Sequence, residues 1–490
     1  MNNSVAVNGN PSTLSALTKD INMNTRHPHA PVPTATIQHA LTLIDHANLA
    51  DLLDDPNAAT ERAVPTLDLR TVLAAWIILA LNGETPTTEN ISNLLAARLT
   101  PKARELLALH ESFATHTQTQ IARSVRRQTA NLLNKIDAFP VPDRSCRLTK
   151  SEWDQVDARR ADQAPELEDK RIRFLTFANS LLHAQFATLP AETRDGKFNA
   201  TIDSRFRPAY AAGLPARRMA TLAPHDRVSA EPDAGMYVTA VSSRTGVSRA
   251  QYGWEDELVV LHPTAPGSAP RIVIGFNPHR PGANPARHAA EALQHLARRG
   301  LTLGHVVVDR AYMAARPDGL RAALDDLGAK VIGDYPSHHL GVQDVAGDAI
   351  LVEGTWYNAS MPEHLQRAML DARRGPNRTG DTANTSIDAL ITARAPYALR
   401  LKTRTSTHPD TNRLEQAAPY RSPAWTSALT AGRNTMESYM AALRHTTAPR
   451  EGRPCLRGAT GHAFLSLLDI IATNARIINE FTTRADSRPR

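Results

Sequence analysis

The sequence predicts a mixed α+β protein, with an all-α N-terminal part, a mixed β-sheet flanked by helices, and a β-rich insertion in the sheet-bearing part. Three observations predict it. Apolar residues recur at helical spacing from about Ile37 to Asp137. At Phe198 the texture changes to short β-like runs divided by Gly- and Pro-bearing turns. Those runs then alternate with helical segments, the pattern of a sheet covered by helices.

A chain of 490 residues has room for several domains and for sizeable cores. Its 42% apolar and 21% charged residues are those of a globular protein. The longest apolar run, Val72 to Leu81, is too short to span a bilayer, and the first 35 residues hold no apolar signal segment. A cytoplasmic protein with no membrane partner is expected. Cys146 and Cys455 are too few for a disulfide framework and lack metal-site spacing. A net charge of +7 and a pI near 9.5 permit a polyanionic partner without demanding one.

Residues 1–35 are polar, punctuated by Pro and without period, so disorder is expected there. The run around Val72, Trp76 and Leu79 reads as a buried helix ended by Asn82-Gly83. Thr87 or Thr88 can cap the next, which puts Ile91, Leu94, Leu95 and Leu99 on one face, and Thr100-Pro101 restarts a helix with Pro in its first turn. A longer helix turns Ile121, Val125, Leu132 and Ile136 inward and leaves Arg123, Arg126, Arg127 and Lys135 outside. Short capped helices with a basic one suggest a helix-turn-helix-like DNA-contacting module; an all-α packing domain with solvated charges is the equal alternative.

Residues 138–195 read as a charged connector with a helix over Arg171–Gln185. β-like runs follow at Phe198–Ile202, Met236–Val241, Leu258–His262 and Arg271–Phe276. Asn284-Pro285 opens a helix closed by Gly300, and a strand over Gly304–Val308 follows. Another helix, with Leu320, Leu324 and Leu327 inward, stops at Gly328 before a strand at Lys330–Ile332. This is the element order of the RNase H-like fold, in which the first and fourth strands lie side by side. Residues from about 345 to 425 read as an insertion, with a strand at Ile350–Glu353, a Trp356-Tyr357 pair, a helix opened by Met361-Pro362-Glu363 and a basic strand at Tyr397–Arg404. A final apolar helix over about Gly461–Asn479 packs back on the sheet. The expected division is 1–35 disordered, 36–150 helical, 151–195 connector, 196–345 and 426–482 the two parts of the core, 346–425 insertion, and 483–490 a flexible tail.

Within this frame three acids stand out. Asp203 closes the Phe198–Ile202 run, Asp309 closes Gly304–Val308, and Glu437 lies in a helical stretch from Arg433 to Arg444. Taken singly each has an ordinary reading: a turn former, a helix cap, a helix Glu paired with a nearby Arg. Together, two strand-end carboxylates and one helix carboxylate form an oxygen cage that suits a pair of divalent metals for in-line phosphoryl displacement. Clustered carboxylates repel unless a cation neutralises them, and oxygen-only ligands favour Mg2+, with Mn2+ able to replace it. Arg310 and Tyr312, just after Asp309, and Arg433 and Arg444, on the helix of Glu437, are candidate phosphate and DNA contacts. His225, His338-His339 and Asp325-Asp326 read as solvated decoys. Asp256 and Glu257 are remote candidates for a replacement ligand, and Trp356 and Tyr357 are residues of the core or, less plainly, stacking residues near a cut.

With these residues in place, the chain resembles DDE-type insertion-sequence transposases, in the cut-and-paste branch with a β-rich insertion before the last acid. Thr201-Ile202-Asp203-Ser204 is similar to the family's first catalytic motif, and Asp309-Arg310-Ala311-Tyr312 to its second. The family's Tyr-x2-Arg-x3-Glu-x6-Lys signature is met by Arg433 and Glu437, while Thr430 stands at the Tyr position and Arg444 at the Lys position. Asp226–Tyr237 and the closing helix with Asn474 are also similar to family segments. The likeness covers about residues 195–480. It implies catalytic and metal-holding roles for Asp203, Asp309 and Glu437, with Mg2+ as cofactor. It further implies double-stranded DNA as partner, both element terminal repeats and target, a homodimer when two ends are synapsed, and a nucleoid-associated place in the cytoplasm. The alternatives are a nuclease of the same fold without strand transfer, and an inactive or repurposed DNA-binding protein.

Overall fold

The computed structural model describes residues 30–53, 67–109, 113, 115–141, 147–195, 198–238, 250–265, 267–314, 319–369, 380–399, 414–447 and 456–486. Cys146, Cys455, residues 1–29 and residues 239–241 of the expected second strand lie outside them. The protein is mixed α and β, and no helix among the described residues is long and apolar enough to cross a membrane.

The expected N-terminal helices are present as α1 (Thr34–His46), α2 (Leu69–Leu81), α3 (Thr88–Ala97), α4 (Pro101–Leu106) and α5 (Gln118–Ile136). Their starts follow side-chain chemistry: Asp68, Thr87, Thr100 and Thr117 each accept a backbone N–H of the first turn. Structure begins before residue 35. Val32 is buried, its amide donates to the Arg98 carbonyl, and the Arg98 guanidinium grips Glu84 and the Ala30 carbonyl. Long-range anchoring orders a segment whose local pattern is featureless.

Every residue of α2 except Arg70 is buried, as an all-apolar helix requires. The N-terminal helices share one core with α7 (Ala164–Ala187), with α12 (Pro423–Thr447) and α13 (Gly458–Asp486), and with Leu258, Val260, Val273 and Phe276 of the sheet. Trp76, on α2, meets Phe464 of α13 edge-on at 5.3 Å. The expected connector is therefore a core element: α6 (Lys150–Asp162) leads into the 24-residue α7, which lies along the sheet. Likewise α13 continues to Asp486, past the expected start of a flexible tail, and carries buried Thr482 in its last turns.

The main sheet comprises β1 (Phe198–Pro208), β2 (Gly235–Val238), β3 (Ala250–Pro263), β4 (Val273–His279), β5 (Leu303–Val308) and β6 (Lys330–Gly333). Its order is β4-β3-β1-β5-β6, with the short β2 extending the outer edge of β3. β3 is antiparallel to β1 and β4, whereas β5 is parallel to β1 and to β6. The unbroken apolar run Leu258–Leu261 has its reason here: Leu258 and Val260 face the helical core, Val259 and Leu261 the opposite core beneath α8 (Pro285–Ala297). The short helices α9 (Arg310–Ala314) and α10 (Leu320–Asp326) complete the β5-to-β6 crossover.

The insertion holds a three-stranded antiparallel meander, β7 (Val342–Ala346), β8 (Ala349–Val352) and β9 (Thr355–Asn358), followed by α11 (Gly380–Arg394). Of the expected basic strand at Tyr397–Arg404, Tyr397 closes a 3-10 turn and Ala398 makes a single bridge to Tyr357, while residues 400–404 lie outside the described ones. Nor did local pattern announce α11. Its last residue, Arg394, is drawn inward to a buried pair with Glu353 at 2.8 Å and to the carbonyls of Leu365 and Arg367. Trp356 and Tyr357 are buried, which assigns them to packing. The chain then returns along β6, where the Gln416 amide exchanges two hydrogen bonds with Gly333 and covers the sheet edge.

Candidate active site

Asp203 lies in the middle of β1 rather than at its end. Beyond it Ser204–Pro208, which the expected strand did not include, stays extended because β3 pairs with it as far as Gly253. The ladder to β5 is shorter: Thr201 pairs with Val307, so Asp203 and Asp309 follow two residues on, where β5 stops. The parallel register thus brings the two aspartates to adjacent strand positions despite their distance in the chain. Asp309 is exposed and begins the turn into α9, its carboxylate accepting the Arg310 amide at 2.7 Å. Asp203 is more enclosed. Burial first, and then the negative charges of Asp309 and Glu257, push its carboxyl up to about 6, against the opposing effects of the Ser204 amide and Arg433.

The third acid rides on α12, whose close approach to the sheet depends on Gly432. A Cβ at that position would meet the Val307 side chain at 2.7 Å. Farther along, the Thr435 hydroxyl is 2.9 Å from Nδ1 of His262 on β3. Arg433 is exposed and reaches Asp309 at 3.7 Å. Glu437 and Arg444, at i+4 and i+11 from Arg433, project from the same helix face, and Arg444 lies within electrostatic reach of Arg205 on β1. Glu437 is exposed between them. Among the described residues, no three His, Cys, Asp or Glu side chains are gathered as a metal-holding group. The two aspartates are adjacent oxygen donors of like charge, the type a hard cation takes; Glu437 stands on the helix beside them and forms no three-acid group with them.

Because Gly432 sets the spacing between the helix of Glu437 and the strand of Asp309, Gly432→Val should overpack this seam and cost about 1–3 kcal/mol. Urea unfolding would measure it; unchanged stability would mean that α12 can lift without penalty.

Two of the expected DNA contacts are placed differently from the others. Tyr312 is buried, and its hydroxyl donates to Glu257 Oε2 at 2.5 Å, so it is corrected from a phosphate contact to an internal one. Arg310 is exposed but hydrogen-bonded to Asp334, which also accepts from the Tyr420 hydroxyl. Asp256 and Glu257 are both wholly buried and engaged, Asp256 by Arg207 and Ser466, Glu257 by Tyr312 and His279. Thr430, at the position of the signature Tyr, lines a hollow of about 830 Å3 with Asp334, Arg421, Trp425 and Asn434. An apolar cavity of about 640 Å3, walled by Phe139, Trp153, Phe174 and Trp254, includes none of the candidate residues.

Sequence reasoning missed Arg205 and Tyr237. Strand alternation from Asp203 puts Arg205 on the same face, a signal that was available once β1 was known to continue. Tyr237 stacks on Phe206 at 5.1 Å and lies within electrostatic reach of Asp203, Asp309 and Glu255. Only the pairing of β2 with β3 brings it there. Compared with known proteins, the chain matches no family, no curated protein and no solved structure.

Proposed function

We propose that this chain is a metal-dependent DNA-cutting and DNA-joining enzyme of the DDE transposase type, built on an RNase H-like core. The observation that carries the reading is the register that sets Asp203 and Asp309 side by side, with α12 laid across the same strands and Glu437 on the face that carries Arg433. The order β4-β3-β1-β5-β6, antiparallel on one side of β1 and parallel on the other, supports the same fold.

Asp203 and Asp309 would hold Mg2+ or Mn2+, with Glu437 the third ligand once α12 draws it in, and the ion would supply positive charge against the attacking and leaving oxygens of an in-line displacement. Water attacks a phosphodiester at the element end, its proton passing to solvent, and the released 3′-oxygen leaves as a hydroxyl. That 3′-OH then attacks a target phosphodiester and displaces a second 3′-oxygen. Arg433 and Arg444 offer guanidinium donors to the phosphates alongside. Exposed Arg123 and Arg126 of α5 supply a basic face for flanking duplex, and pairing of two ends requires a dimer.

One observation favours the binding-only reading: among the described residues the three acids are not gathered. A labelled duplex carrying the repeats that flank the native locus decides the matter, incubated with Mg2+, with EDTA, and with Asp309→Ala. Metal-dependent nicking that the substitution abolishes, followed by joined products, is the expected result. Nicking without joining would point to a nuclease, and binding without cleavage to a repurposed DNA-binding protein.

A further inference from the structure

Glu257 stands on β3 opposite Ser204, one residue along from the Asp203 pairing, and its side chain is fully enclosed. Both of its oxygens are occupied. The Tyr312 hydroxyl donates to Oε2, and His279 Nε2 is 3.2 Å from Oε1. His279 Nδ1 lies 3.0 Å from the Arg280 carbonyl, which can only accept. One proton is therefore shared at the contact with Glu257: either His279 donates from both ring nitrogens to a carboxylate, or a protonated Glu257, whose carboxyl burial pushes above the usual range, donates to His279. A buried polar contact of this kind costs desolvation energy on both sides and is weak evidence for stability alone.

Tyr312 has a second grip. Its amide donates to the Asp309 carbonyl at 3.1 Å, while its ring is buried in the core beneath the sheet. One residue thus ties the turn that carries Asp309 to a fixed point on β3. The turn's other polar ties lie at the surface, Arg310 to Asp334 and Asp309 to Arg433, so the bond from Tyr312 to Glu257 is its enclosed one.

We propose that Tyr312 is a positioning residue: its hydroxyl, anchored on Glu257, holds the Asp309 carboxylate beside Asp203 in the geometry a divalent cation needs. This rests on the metal-dependent reading above. Partners of this outer kind orient ligands, and their loss typically weakens metal affinity about 10–100-fold.

The test is Mn2+ binding to the full-length protein, followed by the electron paramagnetic resonance of free Mn2+, with no DNA present. Wild type should bind Mn2+, and Asp203→Asn should lose it. Tyr312→Phe keeps the buried ring and should weaken binding about 10–100-fold when measured well below its melting temperature, which should itself fall because the buried Glu257 Oε2 loses its donor. Glu257→Gln keeps an acceptor for the Tyr312 hydroxyl and a donor toward a neutral His279, so its affinity should stay close to that of wild type. Wild-type affinity in Tyr312→Phe, or an equal loss in Glu257→Gln, would overturn the strut. Should Tyr312→Phe fail to fold, Glu257→Leu removes the same bond from its other end and should show the same loss; unchanged affinity there would overturn it too. Wild-type protein that binds no Mn2+ sensitive to Asp203→Asn would overturn the metal reading itself, a separate result from failure of the strut.

Discussion

On the proposed metal-dependent reading, Asp203→Asn should abolish cleavage and yet make the protein more stable at neutral pH. The Asp203 carboxyl is raised from 3.8 to about 6, by burial first and by Asp309 and Glu257 after it. The sign follows from which state holds the proton more tightly. Below about 4 the carboxyl is protonated in folded and unfolded chains alike, and it contributes nothing. Between about 4 and 6 the folded state keeps a proton that the unfolded state has lost. Above about 6 both are ionised, and the folded state carries the full cost of an enclosed charge beside like charges. A shift of this size corresponds to about 1–3 kcal/mol. In metal-free buffer Asp203→Asn should gain about that much at pH 7.5 and almost nothing at pH 4, as read from urea midpoints at the two pH values. Cleavage in Mg2+ should fall by about 10²–10³-fold or more, since a group placed at the developing charge is lost. No gain at pH 7.5 would mean that the carboxyl is freely hydrated, and the metal reading would lose its electrostatic basis.

Asp256→Ala should do the reverse. Arg207 donates from Nε and an η nitrogen to the two Asp256 oxygens at 2.6 and 2.8 Å, and from its other η nitrogen to the His462 carbonyl; Ser466 adds a further bond to Asp256. This cluster pins β1 to β3 and to α13 with all its members buried. Deleting the carboxylate leaves Arg207 charged and enclosed, for a loss of about 3–5 kcal/mol. Urea unfolding at pH 7.5 measures it. Were Asp256 a metal ligand instead, its removal would relieve repulsion and stabilise the apo protein, as for Asp203. A neutral or positive change would therefore return Asp256 to the ligand set.

The contrast between these carboxylates shows how far local pattern reaches. Sequence alone set the alternation of strands and helices, because apolar periodicity records which faces are buried. Thr87, Thr100 and Asn284 mark helix starts by capping chemistry that acts within three residues. The order of elements put Asp203 and Asp309 on candidate neighbouring strands, since a parallel pair needs a crossover and the run from Phe198 to Ile332 contains one.

What only the tertiary structure decided rests on contacts between residues far apart in the chain. Asp203, Asp256 and Glu257 look alike in sequence, yet register assigns one to a site beside Asp309, one to Arg207 and one to Tyr312 and His279. Tyr312 looked like a phosphate contact because it follows Asp309 so closely, but the α9 turn sends its ring into the core. The connector at 151–195 became a core helix because α2 and α13 offered it apolar surface that no local window contains. Periodicity fixes which elements form and which faces they bury; the partner of a charged side chain is fixed by strand register and helix crossing, because electrostatic and hydrogen-bonding energies depend on separation in space rather than along the chain.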